Sequence, residues 1–205
     1  MFDLDGRLYD QGWPHSYRRH GRGGFFVMER LLLPETEPVT LDEMKRHLRC
    51  QDDITTLDDD ISALITTARE WAEDFTDRAL LTQTWRLTAD DAESLKLHRA
   101  PIISINEVNA IAKGGARTVI ESSQYRIEEA ASRWPRLIRT GPTHGLIEVE
   151  FVAGFNSAEV VPSRFKTAMK LYAEALFDHD QYTMEMLIKV AQDILKPERA
   201  GLQLS

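Results

Sequence analysis

The hydrophobic period changes twice along this chain of 205 residues, and the two changes bound its architecture. In "DDDISALITTAREWAEDFTDRAL", Asp58 to Leu80, the residues Ile61, Leu64, Ile65, Ala68, Trp71, Ala72 and Phe75 recur at helical spacing, and Asp58 to Asp60 suit the positive end of the helix dipole. From Gln83 to Phe155 the period falls to two. "TWRLT", "LKLHR", "IISINEV", "YRIEE" and "GLIEVEFVAG" are short β-branched or aromatic runs divided by Gly, Pro and Asn. In the last of them Ile147, Val149 and Phe151 face one way and Glu148 and Glu150 the other, so the sheet has a buried and a wet side. After Pro162 the helical period returns in Phe165, Ala168, Met169, Tyr172, Ala175 and Leu176. The pattern predicts an α+β protein: a small bundle of about four helices, near 40–49, 58–79, 163–178 and 183–196, with an inserted, mainly antiparallel β region near 83–155.

The first of these helices starts in "PVTLDEMKRHLRCQDD". Thr40 and Glu43 stand at capping-box spacing, and Leu41, Met44 and Leu48 then share a face. His47 and Cys50 flank that stripe without a partner at metal-ligand spacing, which gives them an ordinary structural reading. The final helix is apolar on two sides. Met184, Leu187, Ile188, Ala191 and Leu195 form one face and Met186, Val190 and Ile194 a second row, so either the protein's own core or another subunit covers the second row. The "KGGAR" stretch, Lys113, Gly114, Gly115, Ala116 and Arg117, is a hairpin turn in the making.

Composition removes several function classes. The net charge of -8 argues against a surface that grips nucleic acid phosphates widely. No apolar run approaches the roughly 20 residues that span a bilayer, so no membrane role is expected, and a secretory leader is not evident. One cysteine, Cys50, excludes an internal disulfide framework and a multi-cysteine zinc site and fits a reducing compartment. Phosphate loops, nucleophile elbows, HExxH helices, dinucleotide fingerprints and deaminase signatures are missing from the sequence. The histidines His15, His20, His47, His98, His144 and His179 are scattered, and the acids Asp52, Asp53 and Asp58 to Asp60 lack the glycine and distal glutamate of a calcium loop. No catalytic residue, metal or cofactor is expected. Residues 1–27 carry Arg7, Arg18, Arg19 and Arg22 against Asp3, Asp5 and Asp10, with glycines and aromatics at no regular period. They read as an irregular arm, as a nucleic-acid contact, or as an extension upstream of a start at Met28. Residues 197–205 read as a tail with Leu202 and Leu204 as short hydrophobic anchors, after a folded domain at 28–196.

The order of these pieces resembles a known family. "EPVTLDEMKRHLR", an acidic linker, "ISALITTAREWAEDFTDRALLTQTW", a β region with "RAPIISINEV", then "VEFVAGF" and "VPSRFKTAMKLYAEALFDH" is similar to the head-tail connector (adaptor) proteins of tailed bacteriophages and the related gene transfer agents. The likeness runs from about Met28 to His179. It implies a non-enzymatic virion protein at the head-tail junction, assembled in the host bacterial cytoplasm. Such a protein forms a ring, commonly of about twelve copies, beneath the portal protein. The ring extends the channel for packaged double-stranded DNA without sequence-specific binding and meets a downstream neck or tail-completion protein. On that reading Met186, Val190, Ile194, Leu195, Leu202 and Leu204 serve subunit or portal contacts. Lys113, Gly114, Gly115 and Arg117 face the DNA channel or the tail-side partner. The alternative is a nucleic-acid-binding accessory protein that uses the arginine-rich arm and the hairpin.

Overall fold

Strand β1 (Phe26–Leu32) is the first described element of the computed structural model, which describes residues 26–50, 55–90, 92–141, 145–177 and 180–199. It takes in Phe26 and Val27, which the sequence reading gave to the arm; the rest of the arm lies outside the described residues. Helices α1 (Leu41–His47) and α2 (Asp58–Thr76) follow, then β2 (Gln83–Asp90), β3 (Ser94–Lys96), β4 (Ile102–Ile111), β5 (Arg117–Val119), β6 (Tyr125–Glu128), β7 (Arg136–Arg139) and β8 (Leu146–Ala153). Helices α3 (Ser163–Phe177) and α4 (Gln181–Leu195) complete the order. The expected α+β architecture is present, with its β region as two antiparallel sheets. Five strands run in the order β1-β2-β8-β4-β5 and three in the order β3-β7-β6.

The period of two places the sheet core. Trp85 pairs with Phe151, Leu87 with Val149 and Ala89 with Ile147, so all six side chains share one face. Met28 stands opposite Leu87 and Val108 opposite Val149, which carries that face onto β1 and β4. Leu97, Ile120 and Leu137 bury against it. The opposite face carries an ion-pair lattice: Arg86 lies 3.3 Å from both Glu29 and Glu150, and Arg117 lies 3.0 Å from Glu148, which these arginines cover so that it is buried and not wet as expected.

The helices bury a second core. Met44, Ile61, Ile65, Ala68, Ala72, Phe165, Ala168, Met169, Ala173, Ala191 and Leu195 pack together with Leu80 and Leu81 from the chain entering β2. The α1 capping box forms as expected, the Glu43 amide donating to Thr40 Oγ1 at 3.2 Å and the Thr40 amide to Glu43 Oε2 at 3.1 Å. Helix α4 starts two residues before the expected Thr183 because Asp180 caps it, accepting from the Tyr182 and Thr183 amides. Leu176, expected on the buried stripe of α3, is instead exposed.

Asp77 ends α2 in a left-handed conformation with φ of 58°. It also ties the helix to the sheet part. Its carboxylate lies 2.7 Å from His98 Nδ1 and accepts from Lys96 Nζ at 3.3 Å, while its carbonyl accepts from the Arg99 amide at 3.2 Å. Burial alone would raise this carboxyl, but the hydrogen bond and charge of His98, with the charges of Lys96 and Arg99, outweigh it and hold the pKa at about 2 against an ordinary 3.8. A depressed carboxyl contributes stability above its unfolded value and loses it as pH falls through the folded one. Asp77→Asn, which keeps the left-handed backbone accessible, is therefore expected to cost about 2 kcal/mol at pH 7. That deficit should shrink between about pH 4 and pH 2. Urea unfolding of both proteins at pH 7 and pH 3 measures it; an equal deficit at both values would contradict the assignment.

Candidate assembly surfaces

Helix α4 presents two sides, as its sequence requires. Ala191 and Leu195 are buried in the helical core, and Met184, Leu187 and Ile188 are half-buried. The other side faces outward: Met186 is 49% and Val190 44% exposed, and Tyr182, one turn before Met186, is 77% exposed. The second row is therefore an uncovered surface of the single chain. Ile194 is half-buried against the helical core and closes the row at its far end. Leu195 corrects an expectation. It stands among the residues expected at subunit or portal contacts, but its side chain is fully enclosed in the helical core, where the helical period places it with Ala191. Tyr182 was missed, although its spacing of four from Met186 and eight from Val190 was legible.

After α4 the chain makes a 3-10 turn, Lys196–Glu198, and Glu198 is buried. Its carboxylate accepts from Arg78 Nη1 at 2.9 Å and from Arg164 Nη1 at 2.8 Å, with Arg133 Nη2 at 3.9 Å. The guanidinium of Arg199 lies 5.3 Å from the ring centre of Phe75, which stacks on Trp71, which stacks on Tyr172. Glu198 and the Arg199 guanidinium thus contact the packed domain, at the start of the segment that the sequence reading gives to a docking tail. The two leucines of that tail, Leu202 and Leu204, lie outside the described residues.

The expected hairpin forms between β4 and β5. Ala112 and Ala116 close its turn, the Gly115 amide donates to the Ala112 carbonyl, and Gly115 takes a φ of 83° that favours glycine. Lys113, Gly114 and Gly115 are exposed at the tip. Arg117 is exposed as well, but its guanidinium donates to Glu148 Oε2, which ties its charge to the sheet. A protein that reads phosphates with this hairpin would need that charge free.

A polar hub joins the two cores. The Glu73 carboxylate, almost wholly buried, accepts from Arg69 Nη1 at 3.0 Å, from the Leu80 amide at 2.9 Å and from the Gln83 side-chain amide, with Arg30 Nη1 at 3.7 Å. Arg69 also donates to Glu37 Oε2 at 2.8 Å and Arg30 to Glu70 Oε1 at 2.8 Å. Burial pushes the Glu73 carboxyl up, against the pull of Arg69 and the Leu80 amide. Every charge here meets an opposite charge, as in a structural network. His47 likewise lies 2.9 Å from Glu174 and His98 beside Asp77. Among the described residues no group of three or more His, Cys, Asp or Glu side chains is arranged to hold a metal ion, and no helix is long and apolar enough to cross a membrane.

Residues 38–129 match the family model described as Phage gp6-like head-tail connector protein. No curated protein matches the chain. Among solved structures, a chain in "Virion of native gene transfer agent (GTA) particle" superposes with a TM-score of 0.67 at 19% identity, covering 87% of this chain and 98% of that one. A chain in "Neck of empty GTA particle computed with C6 symmetry" gives 0.66 at 20% identity, and one in "Neck of native GTA particle computed with C12 symmetry" gives 0.60 at 20% identity, with the same coverage. At these identities the likeness is one of fold. The family model that matches is the one the order of sequence motifs resembles, over a shorter span than the motifs occupy.

Proposed function

We propose that this chain, whose residues 38–129 match the head-tail connector family model, is a structural component of a virion neck that closes into a ring beneath the portal and joins the DNA-filled head to the tail. The observation that carries the reading is the coincidence of that match with a fold shared over 87% of the chain with proteins of gene transfer agent particles. The family is a structural one, and the role is not enzymatic. Closed rotational symmetry repeats one heterologous contact around a ring, so a modest interface such as Tyr182, Met186 and Val190 becomes a stable collar when it closes on itself. The second neck structure's C12 symmetry accords with a ring of about twelve copies.

Within this reading the connector domain, expected at 28–196, also takes in Phe26 and Val27 of β1 and the buried Glu198, and Met186, Val190 and Ile194 pack against a neighbouring subunit or the portal. Leu202 and Leu204 dock on the portal, where several attachments to one ring raise the effective concentration. The Lys113 to Arg117 hairpin faces the DNA channel or the tail-side partner. With a net charge of -8, the chain has few free cations to replace phosphate counterions, which lets double-stranded DNA slide past.

Electron microscopy of the protein mixed with portal-containing heads tests the function: a collar at the portal vertex is expected, and bare vertices at saturating protein would refute it. On the same heads Met186→Asp combined with Val190→Asp should reduce loading at least tenfold. The thermal midpoint should stay within about 2 °C, because both side chains are exposed in the free chain. A chain ended after Arg199 should load equally poorly. Ending it after Pro197 is the wrong test, since that removes the buried Glu198.

A further inference from the structure

Three arginines converge on the single carboxylate of Glu198, and they come from three places: Arg78 after α2, Arg133 in the β6–β7 loop and Arg164 in the first turn of α3. None of the three has another carboxylate partner among the described residues. Among the described residues two positive charges are therefore left without a carboxylate of their own, on a chain whose net charge is -8. Arg78 is nine-tenths buried, and its Nε finds no hydrogen-bond partner. Arg133 and Arg164 are 44% and 47% exposed at the side chain, and each has one nitrogen within 3.9 Å of Glu198, which leaves donors of each guanidinium for a further acceptor. Val160, an exposed apolar residue, precedes Arg164 by four positions in the turn that leads into α3.

We propose that Arg78, Arg133 and Arg164 form a half-filled anion site, and that a carboxylate side chain of a second copy of this chain fills it, lying between Arg133 and Arg164 beside Glu198. A guanidinium fork binds carboxylate oxygens in pairs, and an acidic chain offers such groups to its neighbour in abundance. This rests on the ring-forming reading above and names a contact within it. Because Glu198 leads directly into the last residues of the chain, the same contact holds the base of that segment in place once the neighbour arrives.

The test compares the full-length chain with Arg133→Glu/Arg164→Glu, with the milder Arg133→Gln/Arg164→Gln, and with a control of equal charge change, Arg126→Glu/Arg136→Glu. Self-association is followed by sedimentation in the absence of heads, and copies per particle are counted on portal-containing heads. The reversal variant should weaken self-association at least tenfold and the glutamine variant at least threefold. The control should stay within twofold, and circular dichroism should be unchanged for all three. Equal behaviour of the reversal variant and the control overturns the proposal. So does intact self-association with lost loading, which assigns the site to a portal carboxylate, and so do normal collars with lost DNA retention, which assigns it to phosphate. A wild-type chain that forms multimers in neither setting overturns both this proposal and the ring reading, whereas collars on heads with no effect of the arginines overturn this proposal alone.

Discussion

Glu73→Ala is expected to destabilise the chain by about 3–5 kcal/mol, the cost of removing one partner from a buried charged network. The carboxylate accepts from Arg69, from the Leu80 backbone amide and from the Gln83 side chain, and all of these are buried. Alanine leaves the guanidinium of Arg69 with Glu37 alone at close range, because Glu70 stands 3.9 Å away. It also strips the Leu80 amide of its acceptor where the chain turns from α2 into β2, so the loss falls at the seam between the two cores. For a chain of this size the thermal midpoint should drop by about 10 °C. Differential scanning calorimetry measures it, and a drop below 3 °C would mean that the hub contributes little. Glu73→Gln keeps an acceptor for the Leu80 amide and should lose less than alanine.

Gly154→Ala should be comparably damaging for a different reason. Gly154 has a φ of 118°, and a Cβ built there would stand 2.1 Å from the Leu81 carbonyl oxygen, 2.3 Å from the carbonyl carbon and 2.9 Å from the Thr82 nitrogen. Backbone cannot swing aside as the end of a flexible side chain can. The segment just before β2 would have to lift from the end of β8, although the Gly154 amide is held there by the Pro101 carbonyl at 2.9 Å. Adding the backbone conformation to the overlap gives an expected cost of about 4 kcal/mol. Urea unfolding measures that cost, and a loss under 1 kcal/mol would show that the close approach is not rigid. Gly115 is the useful contrast: its φ is also positive, but an added Cβ meets nothing within 4 Å.

Helices α2, α3 and α4 were legible because their apolar residues repeat at one spacing over 15 residues or more. Strand β8 was legible because its apolar residues alternate onto one face, although Glu148 on the other face is buried as well. Strand β1 was not, because "FVMERLL" sits at an edge, where most of its residues are only half-buried and Arg30 turns inward to Glu70 and Gln83. Strand β7, "RLIR", is too short to show a period. At the candidate surfaces the two-sided nature of α4 could be read from residue spacing alone, and the hairpin from its glycines. The Glu198 cluster could not, since its members lie up to 120 positions apart and only the fold brings Arg78 to Glu198. Leu195 shows the reverse error: periodicity put it in the core, and grouping it with the tail for its place near the chain end obscured that.

The way Glu198 is held also determines how the chain bears load. A pull on the chain beyond Arg199 is expected to meet these ion pairs before it reaches α4, and so to be shared among Arg78 after α2, Arg133 before β7 and Arg164 at the start of α3. Such a branched anchorage fails only when several ion pairs break together, so tension carried along the chain end reaches both layers of the protein before any helix yields.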